Sequence, residues 1–264
     1  MKILELPTTF QTPMNRTTPR RDAYGVLHGV EYVPFLDATT MSMGTRATFG
    51  GVKVGRLHQA RSLNETRAIA AFNFNSYVLD IRERYPIYDQ AAYDRAKLRG
   101  VRLARRKVTT CDIVLTLALP PDNHLHYHVV SVKDVNDKLM PKTEERQQRE
   151  RQIVTERGWT WEVLRGAQFS KRAYGNHMLM KTWIGNSNIW NLYAEAEVFS
   201  QRIKTHSIRG TLIDVVERQA RYLGTSTDHA FELLVAAVSF GMLRISHEEH
   251  LRVDGPLNLQ REMQ

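Results

Sequence analysis

Apolar positions along the chain follow two rhythms. Up to residue 168 they come in short runs or alternate; beyond it they recur every three or four residues. "VTTCDIVLTLAL" (108–119) is apolar over most of its length, "PPDN" supplies a turn, and "HLHYHVVSVK" (124–133) returns as the second strand of a hairpin. Alternation in that second strand sets Leu125, Tyr127, Val129, Ser131 and Lys133 on one face and His124, His126 and His128 on the other. "RSLNETRAIAAFNFNS" (61–76) has helical spacing, with Ser62 and Glu65 forming a capping box and Glu65, Ile69 and Phe72 sharing a face. "YVLDI" (77–81) predicts a short strand, 142–158 a polar helix ending at Gly158, and "WTWEVL" (159–164) another strand. Edge strands are expected near "VEYVPFL" and "TRATFGGVKVG". The order helix, strand, strand, strand, helix, strand predicts an α/β sheet flanked by helices.

After Gln168, "NLYAEAEVFSQRIK", "TLIDVVERQARYLG" and "TDHAFELLVAAVSFGML" are helical, with "GTST" joining the last two and Thr227 available as a cap. "RISHEEHLRVDG" predicts a two-stranded wing. The expected organisation is a flexible basic arm at 1–22, a catalytic α/β unit at 23–168 and a small helical, winged-helix or helix-turn-helix-like domain at 169–264.

Composition narrows the function. Of 264 residues, 42% are hydrophobic, which favours a folded chain, and no apolar run is long enough to cross a bilayer. The single cysteine, Cys111, excludes an intrachain disulfide, and a cytoplasmic location fits. Net charge is +9, which points to polyanionic partners, nucleic acid first. "LRGVRLARRK" (98–107) sharpens this. Arg99, Arg102, Arg105, Arg106 and Lys107 lie in a connector and are candidates for DNA phosphates.

Three residues on different elements carry candidate chemistry. Asp112 interrupts an apolar strand, where an unpaired carboxylate is costly; a hydrogen-bonded structural role is the alternative. Lys133 ends the partner strand; a solvated terminus is the ordinary reading of such a lysine, and a cation beside a phosphate is the functional one. Glu65 faces the sheet but also completes a cap, and one carboxylate is not expected to serve both the cap and a metal.

The run "GRLHQARSLNETRAIAAFNFNSYVLDIRERYPI" (55–87), together with "CDIVL", "SVK", "QRERQ" and "GWTWEVL", resembles the TnsA endonuclease subunit of heteromeric cut-and-paste transposases, over roughly residues 24–165. "NSYVLDIRERYPI" is its most specific part. The resemblance implies a restriction-endonuclease-like (PD-(D/E)xK) fold and a Mg²⁺-dependent cut at the 5′ ends of the transposon, with Mn²⁺ as a substitute ion. It implies double-stranded transposon-end DNA, a DDE-type transposase and an AAA+ ATPase regulator, the last through the C-terminal domain, as partners in a bacterial cytoplasm, with no membrane. Glu65, Asp112 and Lys133 fall on the catalytic triad. Asp112, Glu65 and the Val132 backbone carbonyl are the implied metal ligands, with Glu150 and Ser131 supporting them. Ser131 stands where the wider nuclease fold carries an acid.

Two other readings stay open: a free-standing restriction-like nuclease or junction resolvase, and a non-catalytic DNA-binding module built on 211–243. The histidine row at 124, 126 and 128 has zinc-compatible spacing but reads as a hydrophilic strand face. "GTRATFGG" lacks the ending of a phosphate loop. The four tryptophans, Trp159, Trp161, Trp183 and Trp190, are expected in cores or interfaces, and Cys111 as a small core residue.

Overall fold

The computed structural model describes residues 1–36, 46–134 and 141–260, with backbone alone for residues 141 and 142. Its centre is a four-stranded sheet of β3 (Val78–Ile87), β4 (Thr109–Leu119), β5 (His124–Lys133) and β6 (Thr160–Arg165), in that spatial order. β3, β4 and β5 are antiparallel neighbours and β6 runs parallel to β5, which makes the sheet mixed. The parallel step requires a crossover, and α3 (Pro141–Glu156) supplies it. A separate hairpin pairs β1 (Ala47–Gly50) with β2 (Leu57–Ala60). The start of the strand expected at 45–55, Thr45, lies outside the described residues. "VEYVPFL" does not form a strand; Gly29–Glu31 is a short 3-10 turn followed by extended chain.

Both faces of the sheet are covered. On one, α1 (Leu63–Asn73) sets Ala68, Ile69 and Phe72 against Ile81, Ile113, Leu115, Val130 and Val132. On the other, Ile153 and Val154 of α3 join Trp159, Tyr85, Cys111, Val114 and Val129. Cys111 is thus the core residue expected. Covering of both faces explains why β4 is buried along nearly its whole length and reads as a continuous apolar run.

β3 is twice the length expected from "YVLDI", because the run Arg82, Glu83, Arg84 mimics a surface segment. All three are buried. Arg82 pairs with Asp22 at 2.7 Å, and Glu83 takes a forked bond from Arg56 at 2.5 and 2.8 Å. Each charge is satisfied by a segment distant in sequence, which period-based reading does not detect. The helix α2 (Gln90–Leu98) was also not expected; none of its residues is buried, so it has no apolar stripe to betray it.

Residues 1–22, expected as a flexible arm, are packed. Ile3 is buried in the core under α1, and Thr12 bonds to Ser76 and, through its N–H, to the Phe240 carbonyl at 2.9 Å. Asp22 is buried against Arg82 and Tyr85.

The remaining chain forms α4 (Lys171–Ile184), α5 (Tyr193–Thr205), α6 (Leu212–Leu223) and α7 (Thr227–Ser239) around a second core. Ser226, not Thr227, caps α7, accepting the His229 N–H at 3.1 Å. From Ala230 on, α7 is buried except at Glu232, so it is the axis of its own bundle. A recognition helix must present a face to a DNA groove, and α7 leaves uncovered only its first turn, residues 227–229, and Glu232. Among the described residues the expected wing amounts to isolated bridges, Thr211↔Pro256 and Ile245↔Leu259. Trp183 packs on Phe231 and Trp190 on Phe240, and the Trp190 indole donates to the Lys53 carbonyl at 3.0 Å. Ser239 donates to the Asn73 carbonyl at 2.6 Å, tying α7 to the end of α1.

Candidate active site

The hairpin of β4 and β5 is paired from Leu119↔His124 to Ile113↔Val130, and its register ends there. Asp112 is the next residue of β4. Its carboxylate takes over where the ladder stops: Oδ2 accepts the Val132 N–H at 3.0 Å and the Ser131 hydroxyl at 3.3 Å. Lys133 follows, with Nζ 3.8 Å from the same oxygen. The strand end thus presents an acid, a hydroxyl and an ammonium together. Lys133 is the most open of them, with 24% of its side chain exposed, so its ammonium can meet a solvent-borne anion.

Glu65 reaches the same place from α1. Ser62 Oγ accepts the Glu65 N–H at 3.1 Å, as the sequence predicts. The carboxylate, however, does not return to the Ser62 amide. Its Oε2 accepts the Arg61 N–H at 2.8 Å, and its Oε1 faces Arg84. The expected conflict between cap and site is therefore resolved by division: one oxygen steadies the helix entrance, the other faces the sheet.

Arg84 joins the two acids. One guanidinium nitrogen bonds Asp112 Oδ1 at 2.8 Å and another bonds Glu65 Oε1. Among the described residues, Arg84 is one of two non-glycine residues with positive φ, at 55°. The left-handed backbone breaks the alternation of β3. Arg82 and Tyr85, three positions apart, both bond Asp22, while Arg84 turns to the α1 side. Burial works against the Arg84 charge, but Glu65 and Asp112 outweigh it and hold its pKa above the ordinary value. Sequence reading missed Arg84, and its only signal was a third charge within an otherwise strand-like run.

Glu150, on α3, is buried and accepts the Trp161 indole N–H at 2.9 Å. Burial pushes its carboxyl up to about 7; the Asp112 charge adds to the shift, while the Trp161 bond, Arg146 and Lys133 oppose it. Glu150 is thus within the electrostatic reach of the site, not on a solvated helix face.

Basic clefts flank this centre. One, of about 290 Å³, is lined by Arg106, Lys107, Arg146 and Arg149 and ends on Glu150. Another, of about 700 Å³, contains Arg61, Arg67 and Lys171 beside Asp134, the neighbour of Lys133. Arg99, Arg102, Arg105, Arg106 and Lys107 are all exposed. The histidine row lies elsewhere: His126 and His128 bond Thr160, His128 also bonds Glu162, and the exposed His124 bonds Asp122. Among the described residues no cluster of three histidine, cysteine or acidic side chains forms a metal site, and no helix is long and apolar enough to cross a membrane.

Glu65, Asp112, Lys133 and Ser131 therefore come together as a group, Val132 joins them through its N–H, and Glu150 stands apart on Trp161, linked to them by charge alone. The arrangement combines two inward-facing carboxylates with a partly open ammonium, a set that can hold a cation and meet a phosphate. In comparisons with known proteins, no family model matches this sequence, and no curated protein matches it significantly.

Proposed function

We propose that the chain is a divalent-metal-dependent DNA endonuclease, the subunit of a TnsA-type heteromeric transposase that cuts the 5′ ends of the transposon beside a DDE-type transposase. The observation that carries this reading is the meeting of Glu65, Asp112 and Lys133 at the fork of the β4–β5 hairpin. The mixed sheet covered on both faces supports a restriction-endonuclease-like core as its framework.

The residues present suit Mg²⁺. Glu65 Oε1 and Asp112 Oδ1 converge on a single cationic group, while the second oxygen of each is held by a backbone N–H. A few hard oxygen donors, with water completing the shell, are what Mg²⁺ accepts. Glu65 and Asp112 would hold the ion, with the Val132 carbonyl as a further ligand. When bound, it supplies charge neutralisation at the phosphate and a more acidic water.

The chain's own residues do the rest. Val132 N–H and Ser131 fix the Asp112 carboxylate at the strand fork. Lys133 sets an ammonium beside Asp112, where it offsets charge developing on a phosphate. Glu150 adds a buried carboxyl whose charge bears on both Asp112 and Lys133. The exposed connector and the flanking basic clefts track the DNA backbone. Residues 169–264 serve as the partner-binding part, toward the transposase and an AAA+ regulator. The burial of α7 favours this over a DNA-reading role for 211–243.

The test combines the protein, its cognate transposase and an end-labelled transposon DNA, with and without Mg²⁺. A Mg²⁺-dependent nick on the 5′ strand that needs both proteins is expected. Cutting by this chain alone would indicate a free-standing nuclease, and binding without cutting a DNA-binding module.

A further inference from the structure

We infer that Arg84 is a built-in competitor of the divalent ion: its guanidinium holds the place between Glu65 and Asp112 in the ion-free protein and must withdraw for an ion to enter. This rests on the nuclease reading and adds a gate to it.

Four observations lead there. First, the oxygens that Arg84 engages, Glu65 Oε1 and Asp112 Oδ1, are those that face the site. A dication set between them would stand against a guanidinium in a buried place, where like charges repel strongly. Secondly, the acids do not depend on Arg84 for their positions. The Arg61 N–H holds Glu65, and the Val132 N–H with Ser131 holds Asp112. Withdrawal of the guanidinium therefore leaves two placed carboxylates. Thirdly, Arg84 Nε is buried without a hydrogen-bond partner, so the guanidinium is gripped at its two terminal nitrogens only. Arg56, which precedes β2, also has an Nε without a partner, but its terminal nitrogens donate to the Ile81 and Leu57 carbonyls as well as to Glu83, so it is held by more bonds than Arg84. Fourthly, the left-handed backbone at φ 55° is a conformation an arginine adopts only when its surroundings impose it, and such strain gathers at sites that change state.

The consequence is linkage. Without an ion the two acids are neutralised internally. A phosphate of bound DNA offers the freed guanidinium a new partner, so ion and DNA should each promote binding of the other.

Calorimetric titration of Mn²⁺ into the DNA-free protein tests this, with the Arg84→Gln variant beside the wild type and circular dichroism to check its fold. The variant is expected to bind Mn²⁺ at least about tenfold more tightly, a change on the scale that neighbours of metal ligands produce. Equal or weaker binding by the folded variant would overturn the gate while leaving the nuclease reading in place. No binding by either protein, with or without DNA, would overturn both. If Arg84→Gln does not fold, the wild type decides. The ¹⁵N resonances of its Arg84 guanidinium should move as Mg²⁺ saturates the site, and unchanged resonances at saturation would refute displacement.

Discussion

Asp112 and Val132 lie on neighbouring strands, and the bond between them runs from a backbone N–H to a side chain: Val132 N donates to Asp112 Oδ2 at 3.0 Å, just past the last ladder pair, Ile113↔Val130. The carboxylate is thereby part of the sheet's own hydrogen bonding. It is fixed in position while its other oxygen faces Arg84. This double duty shapes how the site should respond to substitution.

Asp112→Asn keeps the shape and one acceptor oxygen but removes the charge. Cleavage should fall by roughly 10²-fold or more, the scale for losing a charge at a reacting centre. Lys133→Ala should lower cleavage similarly. Its stability should change by less than about 1 kcal/mol, because the Lys133–Asp112 pair is loose and partly exposed. Strand-resolved cleavage assays and urea unfolding of both variants check this.

The N-terminal segment gives a stability test. Asp22 neutralises the fully buried Arg82 and accepts the Tyr85 hydroxyl at 2.6 Å. Asp22→Ala leaves the buried guanidinium with only the looser Asp80 carboxylate, 3.8 Å from its Nε, and should cost up to about 3–5 kcal/mol. Chemical denaturation measures it. A change under roughly 0.5 kcal/mol, as for an ordinary surface site, would mean that residues 1–22 are the free arm that composition suggests.

That contrast marks what the sequence makes legible. β4, β5 and β6 lie within a residue of their expected limits, because their patterns are set by faces buried on local, apolar grounds. The face shared by Glu65, Ile69 and Phe72 is also where expected, and Lys133 lies beside Asp112 from the neighbouring strand, but Arg84, which bonds Asp112 more closely, was not foreseen. What stays hidden is long-range charge pairing. Asp22 with Arg82, Arg56 with Glu83, and Arg84 with Glu65 and Asp112 turn polar runs into buried ones. α4, which no clear period announces, contains Gly175 and Asn176, which blur its spacing; Asn176 is buried, donating to the Glu249 carbonyl and accepting the Leu251 N–H.

Glu150 provides a pH test. Its folded pKa, about 7, lies above the ordinary 4.5, so its contribution to stability is fully present below 4.5 and is lost as pH rises through 7. The loss amounts to roughly 3 kcal/mol at most. Glu150→Gln should flatten this decline and be more stable than the wild type at pH 8, while the two converge toward pH 5. Thermal unfolding across pH 5–8 records it, and parallel profiles would argue against a buried ionisation at Glu150.

The connector is tested by salt. Replacing Arg105, Arg106 and Lys107 with alanine should weaken DNA binding without changing sequence preference. The slope of log affinity against log salt should shrink by about 0.9 for each phosphate that the variant no longer neutralises. An unchanged slope would place the DNA elsewhere on the surface.

The most direct measurement is anomalous diffraction from crystals of the protein grown with Mn²⁺ and transposon-end DNA. A peak within coordination distance of both Glu65 and Asp112 is expected, with Arg84 withdrawn and Lys133 turned toward a phosphate. Manganese bound only elsewhere, with Arg84 still bridging the two acids against the DNA, would contradict a metal-dependent nuclease site in this fold.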